Sequence, residues 1–160
     1  AGAVYMTEPQ PDRRAFALEY CADEVFNPED EDVVAAIMDS TGGRGVDVAF
    51  EAAGAAETPD QAARVARPGG KVIVVGIPSE DHMIMTASQI RRKGLTIKLV
   101  RRMKHTYPRA IRMIQNGLID IAPLATHHFS LEQIGDAFEL VAGYKDGVLR
   151  AMINIGTKRD

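Results

Sequence analysis

The fold is decided by the stretch Arg67–Pro78, which reads RPGGKVIVVGIP. Its apolar run predicts a strand over Lys71–Ile77, the strongest strand signal in the chain. Pro68-Gly69-Gly70 comes just before that run and predicts the end of a helix, because proline and glycine commonly follow helix C-termini. A continuous apolar strand of this kind is typical of a parallel sheet that is covered on both faces.

Strands and helices alternate on both sides of that stretch. This alternation indicates repeated βα units, so we expect an α/β fold built on a doubly wound parallel sheet. The predicted strands are Val4–Thr7, Asp23–Phe26, Val46–Phe50, Lys71–Ile77 and Leu95–Arg101, and the predicted helices are Pro11–Ala22, Asp30–Met38, Pro59–Val65 and Ala87–Arg92.

The pattern changes after Arg102, which predicts two domains, 1–102 and 103–160. Ser130 and Gln133 have the spacing of a capping box, with Ser130 as the cap of a helix. The elements predicted after the boundary are an amphipathic helix over Tyr107–Asn116, an extended segment over Pro123–Phe129, a helix from Ser130 to Ala142 and a strand over Leu149–Ile155.

The composition is that of an ordinary globular domain, with 160 residues, of which 46% are hydrophobic and 26% charged. The net charge of -3 argues against a nucleic-acid partner, since nucleic-acid-binding domains are usually basic. No apolar run approaches the roughly 20 residues that a membrane helix needs, and no signal peptide is visible, so we expect no membrane partner. Cys21 is the single cysteine, which excludes a disulfide framework and favours a reducing, cytoplasmic setting.

Glu8 and Arg13 follow the first predicted strand and are candidate cofactor-binding residues. Dinucleotide-binding folds hold the adenosine ribose with an acid at the carboxyl end of a strand, beside the next helix. Such a carboxylate accepts hydrogen bonds from both ribose hydroxyls and repels a 2′-phosphate, which favours NAD over NADP. The guanidinium of Arg13 lies where it can stack on adenine. A solvated acid and a surface arginine are the alternative interpretations.

Further candidates lie near the later strand ends. Gly76 allows a ligand to approach the backbone closely, although an ordinary strand-to-turn glycine explains it equally well. Arg101 and Arg102 either meet phosphate or substrate oxygens or belong to a solvated basic face. His127 and His128 are adjacent, so on a strand they point to opposite faces and do not chelate one metal, and we expect no metal site. The basic stretch comprises Arg91, Arg92, Lys93, Lys98, Arg101, Arg102 and Lys104.

Several ordered segments resemble the cofactor-binding half of zinc-dependent medium-chain alcohol dehydrogenases. Three of them are VYMTEPQPDRRAFALEYCADEVFNP (4–28), TGGRGVDVAFEAAG (41–54) and RPGGKVIVVGIP (67–78). Later segments are most similar to the sorbitol, xylitol and L-iditol dehydrogenase branch, and the resemblance covers essentially the whole chain. These later segments are RKGLTIKLVRRMKHTYPRAI (92–111), LATHHFSLEQIGDAFELV (124–141) and DGVLRAMI (146–153).

The resemblance implies a role for each candidate in binding NAD. Glu8 matches the ribose-binding acid, where the family more often has aspartate, and Arg13 matches an arginine beside adenine. The end of the fourth strand matches the segment along the nicotinamide ribose, and Arg102 also matches an arginine that holds polyol hydroxyls of the substrate. No residue of this chain matches a catalytic or zinc-binding position. The implied cofactor-binding residues are Glu8, Arg13, Val75, Gly76, Ile77, Val100, Arg101 and Arg102.

The chain also departs from the family pattern. Met103 stands where the family's strand-end pattern has tyrosine, so one substrate hydroxyl contact of the family is missing. The family's zinc ligands, its first Rossmann strand and its glycine-rich pyrophosphate loop do not occur in the sequence. We therefore expect the C-terminal part of a longer enzyme, with a Rossmann-type sheet that lacks its first strand and a segment 103–160 that belongs to an otherwise absent catalytic domain. Exposed sheet edges would then favour a homo-oligomer.

The expected parent is an NAD-dependent, zinc-dependent polyol dehydrogenase that oxidises a secondary alcohol to a ketone by hydride transfer. Its substrate would be a small polyol or another secondary alcohol. A threonine dehydrogenase or another alcohol dehydrogenase remains an alternative within the enzyme class. A non-catalytic nucleotide-binding or self-associating domain is the alternative outside it.

We predict that the 160-residue chain alone has no dehydrogenase activity, because the zinc ligands and the glycine loop that the resemblance requires are not in its sequence. The measurement is NADH formation from xylitol or sorbitol with zinc present. Zinc-dependent NADH formation by the isolated chain would contradict this prediction.

Overall fold

A computed structural model describes residues 2–103 and 105–156, so Lys104 of the basic stretch and the last four residues of the predicted segment 103–160 lie outside the described residues. The chain divides into two compact units. The first comprises Ala1–Val25 with His105–Asp160, and the second comprises Phe26–Lys104. The predicted division of the chain into domains 1–102 and 103–160 stays a prediction.

The alternation of strands and helices is present as predicted. Two short 3-10 turns, Ala122–Leu124 and Leu131–Gln133, lie on either side of the strand His127–Ser130. The elements are β1 (Tyr5–Thr7), α1 (Pro11–Tyr20), β2 (Glu24–Phe26), α2 (Val33–Ser40), β3 (Val46–Glu51), α3 (Thr58–Val65), β4 (Ala66–Val74), α4 (Ala87–Lys93), β5 (Thr96–Leu99), α5 (Tyr107–Gln115), β6 (His127–Ser130), α6 (Ile134–Ala142) and β7 (Ala151–Asn154).

The strands form parallel sheets, which confirms the α/β fold class. In the second unit β3, β4 and β5 pair in that order, and both pairings are parallel. In the first unit β6 pairs in parallel with β7, while β1 and β2 form a separate two-stranded sheet. Within the described residues no helix is long and apolar enough to cross a membrane.

The core of the second unit lies between its sheet and α3. Val72 at the centre of β4 is fully buried, and Ala49 of β3 lies beside it in register. α3 packs on β3 and β4 through buried small residues, among them Ala62 and Ala63. The alternate residues of β3 face the other way, and there Phe50 is 69% exposed. One face of this sheet is therefore well packed, and the other presents apolar side chains.

Local sequence signals set the helix ends. Asp32 caps α2, since its Oδ1 accepts hydrogen bonds from the backbone N–H groups of Val34 at 2.9 Å and Ala35 at 3.1 Å. Pro11 opens α1, where its missing N–H costs nothing. The predicted capping box is present, because the side chain of Gln133 accepts a hydrogen bond from the Ser130 backbone N–H at 3.1 Å. That box begins a 3-10 turn that leads into α6 rather than α6 itself.

The side chain of Lys93, at the end of α4, caps the C-terminus of α3. A helix C-terminus leaves carbonyl groups unpaired and attracts positive charge. Burial, followed by the nearby charge of Arg64, lowers the pKa of Lys93. The Nζ of Lys93 donates hydrogen bonds to the carbonyl oxygens of Ala63, Arg64 and Ala66 over 3.2, 2.5 and 2.9 Å. One ammonium group therefore joins the ends of two helices and the start of β4.

The fourth strand differs from the prediction at both ends. β4 already begins at Ala66, which pairs with Val46 of β3, and pairing resumes only at Lys71 opposite Val48. Residues 67–70 thus form a bulge, which the Pro-Gly-Gly sequence permits, and Gly69 has a φ of 70°. The strand ends at Val74, so the prediction of a strand to Ile77 is wrong by three residues.

Asp47 of β3 binds two arginines, Arg67 of the bulge and Arg44, which precedes β3. The Oδ1 of Asp47 accepts hydrogen bonds from Arg44 Nη2 and from Arg67 Nε, each at 2.6 Å. These two hydrogen bonds, that of Arg44 first, lower the pKa of Asp47 from 3.8 to about 2. A carboxyl group whose pKa is lower in the folded state than in the unfolded state stabilises the folded state at pH values above the unfolded-state pKa. This contribution is lost as the pH falls through the folded-state pKa.

We predict that Asp47→Asn makes the free energy of unfolding less dependent on pH between the unfolded pKa of 3.8 and the folded value of about 2. Urea denaturation at several pH values measures the slope, and a carbon-13 titration of the wild-type carboxyl group locates its midpoint. Asp39→Asn, an exposed acid at the end of α2, is the matched control and should retain the wild-type slope. Equal slopes for Asp47→Asn and the wild type would contradict the prediction.

Candidate cofactor-binding site

Glu8 lies at the carboxyl end of β1, where the sequence predicted the ribose-binding acid. It is half-buried, and its Oε1 accepts a hydrogen bond from the Gln10 backbone N–H at 2.9 Å. Its backbone oxygen accepts a hydrogen bond from Arg14 Nη1 at 3.0 Å. The turn that begins α1 therefore fixes both the backbone and the side chain of Glu8 and restricts the direction of its carboxylate.

Arg13 lies on the first turn of α1, and its guanidinium stacks on an aromatic ring. The guanidinium carbon is 4.9 Å from the ring centroid of Tyr144, within the range of a cation–π contact. A small cavity of about 10 Å³ beside this pair has room for about one water molecule. Tyr144 therefore restricts the position of the Arg13 guanidinium, and the stacking of Arg13 on adenine stays a prediction.

The later candidates of the second unit lie side by side at the carboxyl end of its sheet. Val75–Ile77 follows β4, and Val100–Arg102 follows β5. The Val100 backbone N–H donates a hydrogen bond to the Val74 oxygen at 2.9 Å, so the two segments leave the sheet as neighbours. Arg101 and Arg102 are exposed, and Ile77 is 70% exposed. In open α/β sheets ligands bind outside the carboxyl ends of the strands, which is where these segments lie.

The loop that follows Gly76 surrounds an open cleft of about 430 Å³. The loop Ile77–Met83 lines it with apolar and polar side chains. The predicted residue Ile77 is the part of this lining that joins the cleft to the end of β4.

Glu51 is a residue that the sequence analysis did not single out. It ends β3, is 3% exposed and is the one buried charged residue within residues 2–103 and 105–156. Its Oε1 accepts three hydrogen bonds, and its backbone oxygen accepts two more from the N–H groups of Val75 at 2.7 Å and Gly76 at 3.0 Å. The sequence signal for this residue is an acid at the end of an apolar strand, in the segment FEAAG (50–54). An acid buried at such a position requires hydrogen-bond donors around it.

Gly76 packs directly against this acid. A Cβ at position 76 would collide with the Glu51 carboxylate and with the Gly54 backbone nitrogen. Gly54 has a φ of 71°, and a Cβ there would collide with the Ile77 carbonyl group. Contacts inside the protein therefore already require glycine at position 76, and a role for Gly76 in binding the cofactor stays a prediction.

The candidate residues offer a carboxylate in the first unit and a strand-end segment in the second, and no cluster of metal-ligating side chains occurs among the described residues. Glu8 follows β1 in the first unit with its carboxylate held by the Gln10 backbone N–H, and Gly76 lies two residues after β4 in the second unit. In the part of the chain that the structure describes, no three His, Cys, Asp or Glu residues come together to hold a metal. His127, for example, contacts Thr126 at 2.9 Å and Asp146 at 3.3 Å. No zinc-dependent step is assigned to these residues.

Known proteins resemble the chain over most of its length. Residues 1–116 match the family model described as zinc-binding dehydrogenase. The chain is 33% identical over 153 residues to sorbitol dehydrogenase of Bacillus subtilis, covering 96% of itself and 43% of that protein. It is 34% identical to L-threonine 3-dehydrogenase of Pyrococcus horikoshii, covering 94% of itself and 44% of that protein. The chain thus spans less than half the length of these relatives.

The structure also matches solved dehydrogenases. A zinc-binding dehydrogenase from Sinorhizobium meliloti 1021, solved with bound NADP, superposes with a TM-score of 0.85 at 26% identity, over 97% of this chain and 46% of that one. The sequence relatives are oxidoreductases, and the structural match extends over nearly all of this chain. On the family match, the sequence relatives and the common fold, the chain belongs to the zinc-binding dehydrogenase family.

Proposed function

We propose that the chain is the cofactor-binding part of an NAD-dependent alcohol dehydrogenase that acts on polyols. The parent reaction oxidises a secondary alcohol to a ketone and transfers the hydride to the nicotinamide. The observation that carries the proposal is the carboxylate of Glu8 at the end of β1, fixed by the Gln10 N–H at 2.9 Å. Zinc dependence of the whole enzyme is proposed from the family description alone.

The preference for NAD follows from the charge of Glu8. A carboxylate at the adenosine ribose accepts hydrogen bonds from the two hydroxyls, whereas a 2′-phosphate would bring like charges together. The family includes a protein solved with NADP, so family membership alone does not decide the cofactor. Glu8 therefore determines the choice in this chain.

The remaining candidates have roles along the rest of the cofactor. Arg13, with one face on Tyr144, stacks its other face on adenine. Val75, Gly76 and Ile77 lie along the nicotinamide ribose. Val100, Arg101 and Arg102 directly follow β5 and contact the cofactor from this neighbouring strand end.

Arg102 is proposed as the residue that holds the substrate hydroxyls. Arg102 is exposed and lies three residues after β5, beyond the carboxyl edge of the sheet, where ligands of open α/β sheets bind. The resemblance to a sorbitol dehydrogenase supports a polyol, and the comparable identity to a threonine dehydrogenase keeps threonine or another alcohol as the alternative substrate. A cytoplasmic location is proposed from the single, exposed Cys21.

We predict that the wild-type chain binds NAD more tightly than NADP and that Glu8→Gln reduces this preference about tenfold, the size expected for one hydrogen bond to a charged group. Isothermal titration calorimetry with both cofactors measures it. Glu8→Asp should keep the preference, and Glu19→Gln, an exposed acid on α1, is the matched control.

Tighter binding of NADP by the wild type would contradict the role of Glu8. Binding of neither cofactor would favour the second candidate, a self-associating domain without a nucleotide. The observation behind that candidate is β5, whose four residues are all exposed and which pairs only with β4 among the described strands.

We predict that the chain forms a homo-oligomer through β5, because an exposed sheet edge readily pairs with another strand. Light scattering should give a multiple of 17.4 kDa for the wild type. Leu99→Lys, at a position 63% exposed in β5, should shift the mass toward the monomer, whereas Leu131→Lys, at a position 50% exposed in the first unit, should not. A monomeric wild type would refute the association.

A further inference from the structure

Glu51 is a buried acid to which the proposed function assigns no task. It is 3% exposed, and none of its described hydrogen bonds is an ion pair. A buried carboxylate is unfavourable unless donors surround it, so a fold that retains one uses it to hold those donors in place. The donors around Glu51 therefore indicate what the residue positions.

The side chain of Glu51 organises the turn between β3 and α3. Its Oε1 accepts hydrogen bonds from two backbone N–H groups and one hydroxyl group. The Thr58 hydroxyl also contacts the Ala55 carbonyl oxygen at 3.0 Å, so it belongs to the same turn. The three donors are Ala53 N at 2.9 Å, Gly54 N at 2.7 Å and Thr58 Oγ1 at 2.8 Å.

The same acid supports the segment that follows β4. The Glu51 backbone oxygen accepts hydrogen bonds from Val75 and Gly76, and a Cβ on Gly76 would overlap the Glu51 carboxylate. Gly54, which donates to that carboxylate, lies so close to Ile77 that a Cβ would collide with the Ile77 carbonyl. A shift of the carboxylate would therefore move both the turn and the segment Val75–Ile77.

We propose that Glu51 is a positioning residue, which holds Val75–Ile77 in the arrangement that receives the nicotinamide-ribose half of the cofactor. This inference rests on the proposed function, because it takes Val75–Ile77 as the segment along that ribose. Glu51 touches no part of the cofactor itself. Its effect passes through the hydrogen bonds to the turn and the close packing against Gly76.

The two halves of the cofactor separate this role from a general effect on stability. Glu8 and Arg13, the residues proposed for the adenosine half, belong to the first unit, and Glu51 belongs to the second. A loss of positioning at Val75–Ile77 weakens binding of NAD and leaves binding of AMP unchanged. A loss of folding weakens both ligands.

The experiment is calorimetric titration of the chain with NAD and with AMP. The variants are Glu51→Gln, which replaces a carboxylate oxygen with an amide that requires an acceptor, and Thr58→Val, which removes one donor with little change of shape. Both variants should bind NAD about tenfold more weakly, which is the effect of one lost hydrogen bond. Their affinity for AMP should stay within about twofold of the wild-type affinity. Thr58→Ser keeps the hydroxyl and should restore NAD binding, and Glu57→Gln, an exposed acid in the same turn, should bind as the wild type does.

Each other outcome overturns the inference. Unchanged NAD binding in Thr58→Val refutes it, and so does an equal loss of NAD and AMP in that variant, even where Glu51→Gln does not fold. If the wild type binds AMP as tightly as NAD, the segment Val75–Ile77 contributes nothing to the affinity for NAD. The proposed role of Glu8 is not affected by that result. A wild type that binds neither ligand refutes the proposed function first and this inference with it.

Discussion

The parallel pairing of β3, β4 and β5 is the constraint on which the candidate site depends. Glu51 pairs with Val74, and Val74 pairs with Leu99, so the last residues of the three strands lie in one row. The segments that follow these strands therefore all begin at the carboxyl edge of the sheet. Val75–Ile77 and Val100–Arg102 are neighbours for this reason, and the acid that supports the first segment ends the adjacent strand.

Several acidic side chains of this chain accept hydrogen bonds from the backbone or from arginines. Glu8 binds the Gln10 N–H, Asp32 caps α2, and Asp60 accepts a hydrogen bond from the Thr86 N–H at 2.6 Å. Asp47 and Glu51 hold the two ends of β3 to what surrounds them. These acids therefore fix local turns and strand ends.

The sequence was sufficient for the order of the elements, because strand and helix periodicity, proline and glycine are local signals. It placed β4 wrongly, since pairing of Ala66 with Val46 across a bulge depends on a neighbouring strand and not on the segment itself. It also missed the stacking of Arg13 on Tyr144 and the packing of Gly76 on Glu51. Both are contacts between residues far apart in the chain, which a single sequence does not reveal.

The bulge at residues 67–70 has a consequence for how the chain tolerates changes in length. Pairing stops after Ala66 and starts again at Lys71, so the four residues between them do not set the register of the buried part of β4. An insertion in this segment lengthens the bulge, while Lys71–Val74 keep their pairing partners on β3 and β5. A change of length between Arg67 and Gly70 therefore leaves the pairing of Lys71–Val74, and with it the strand end, in place.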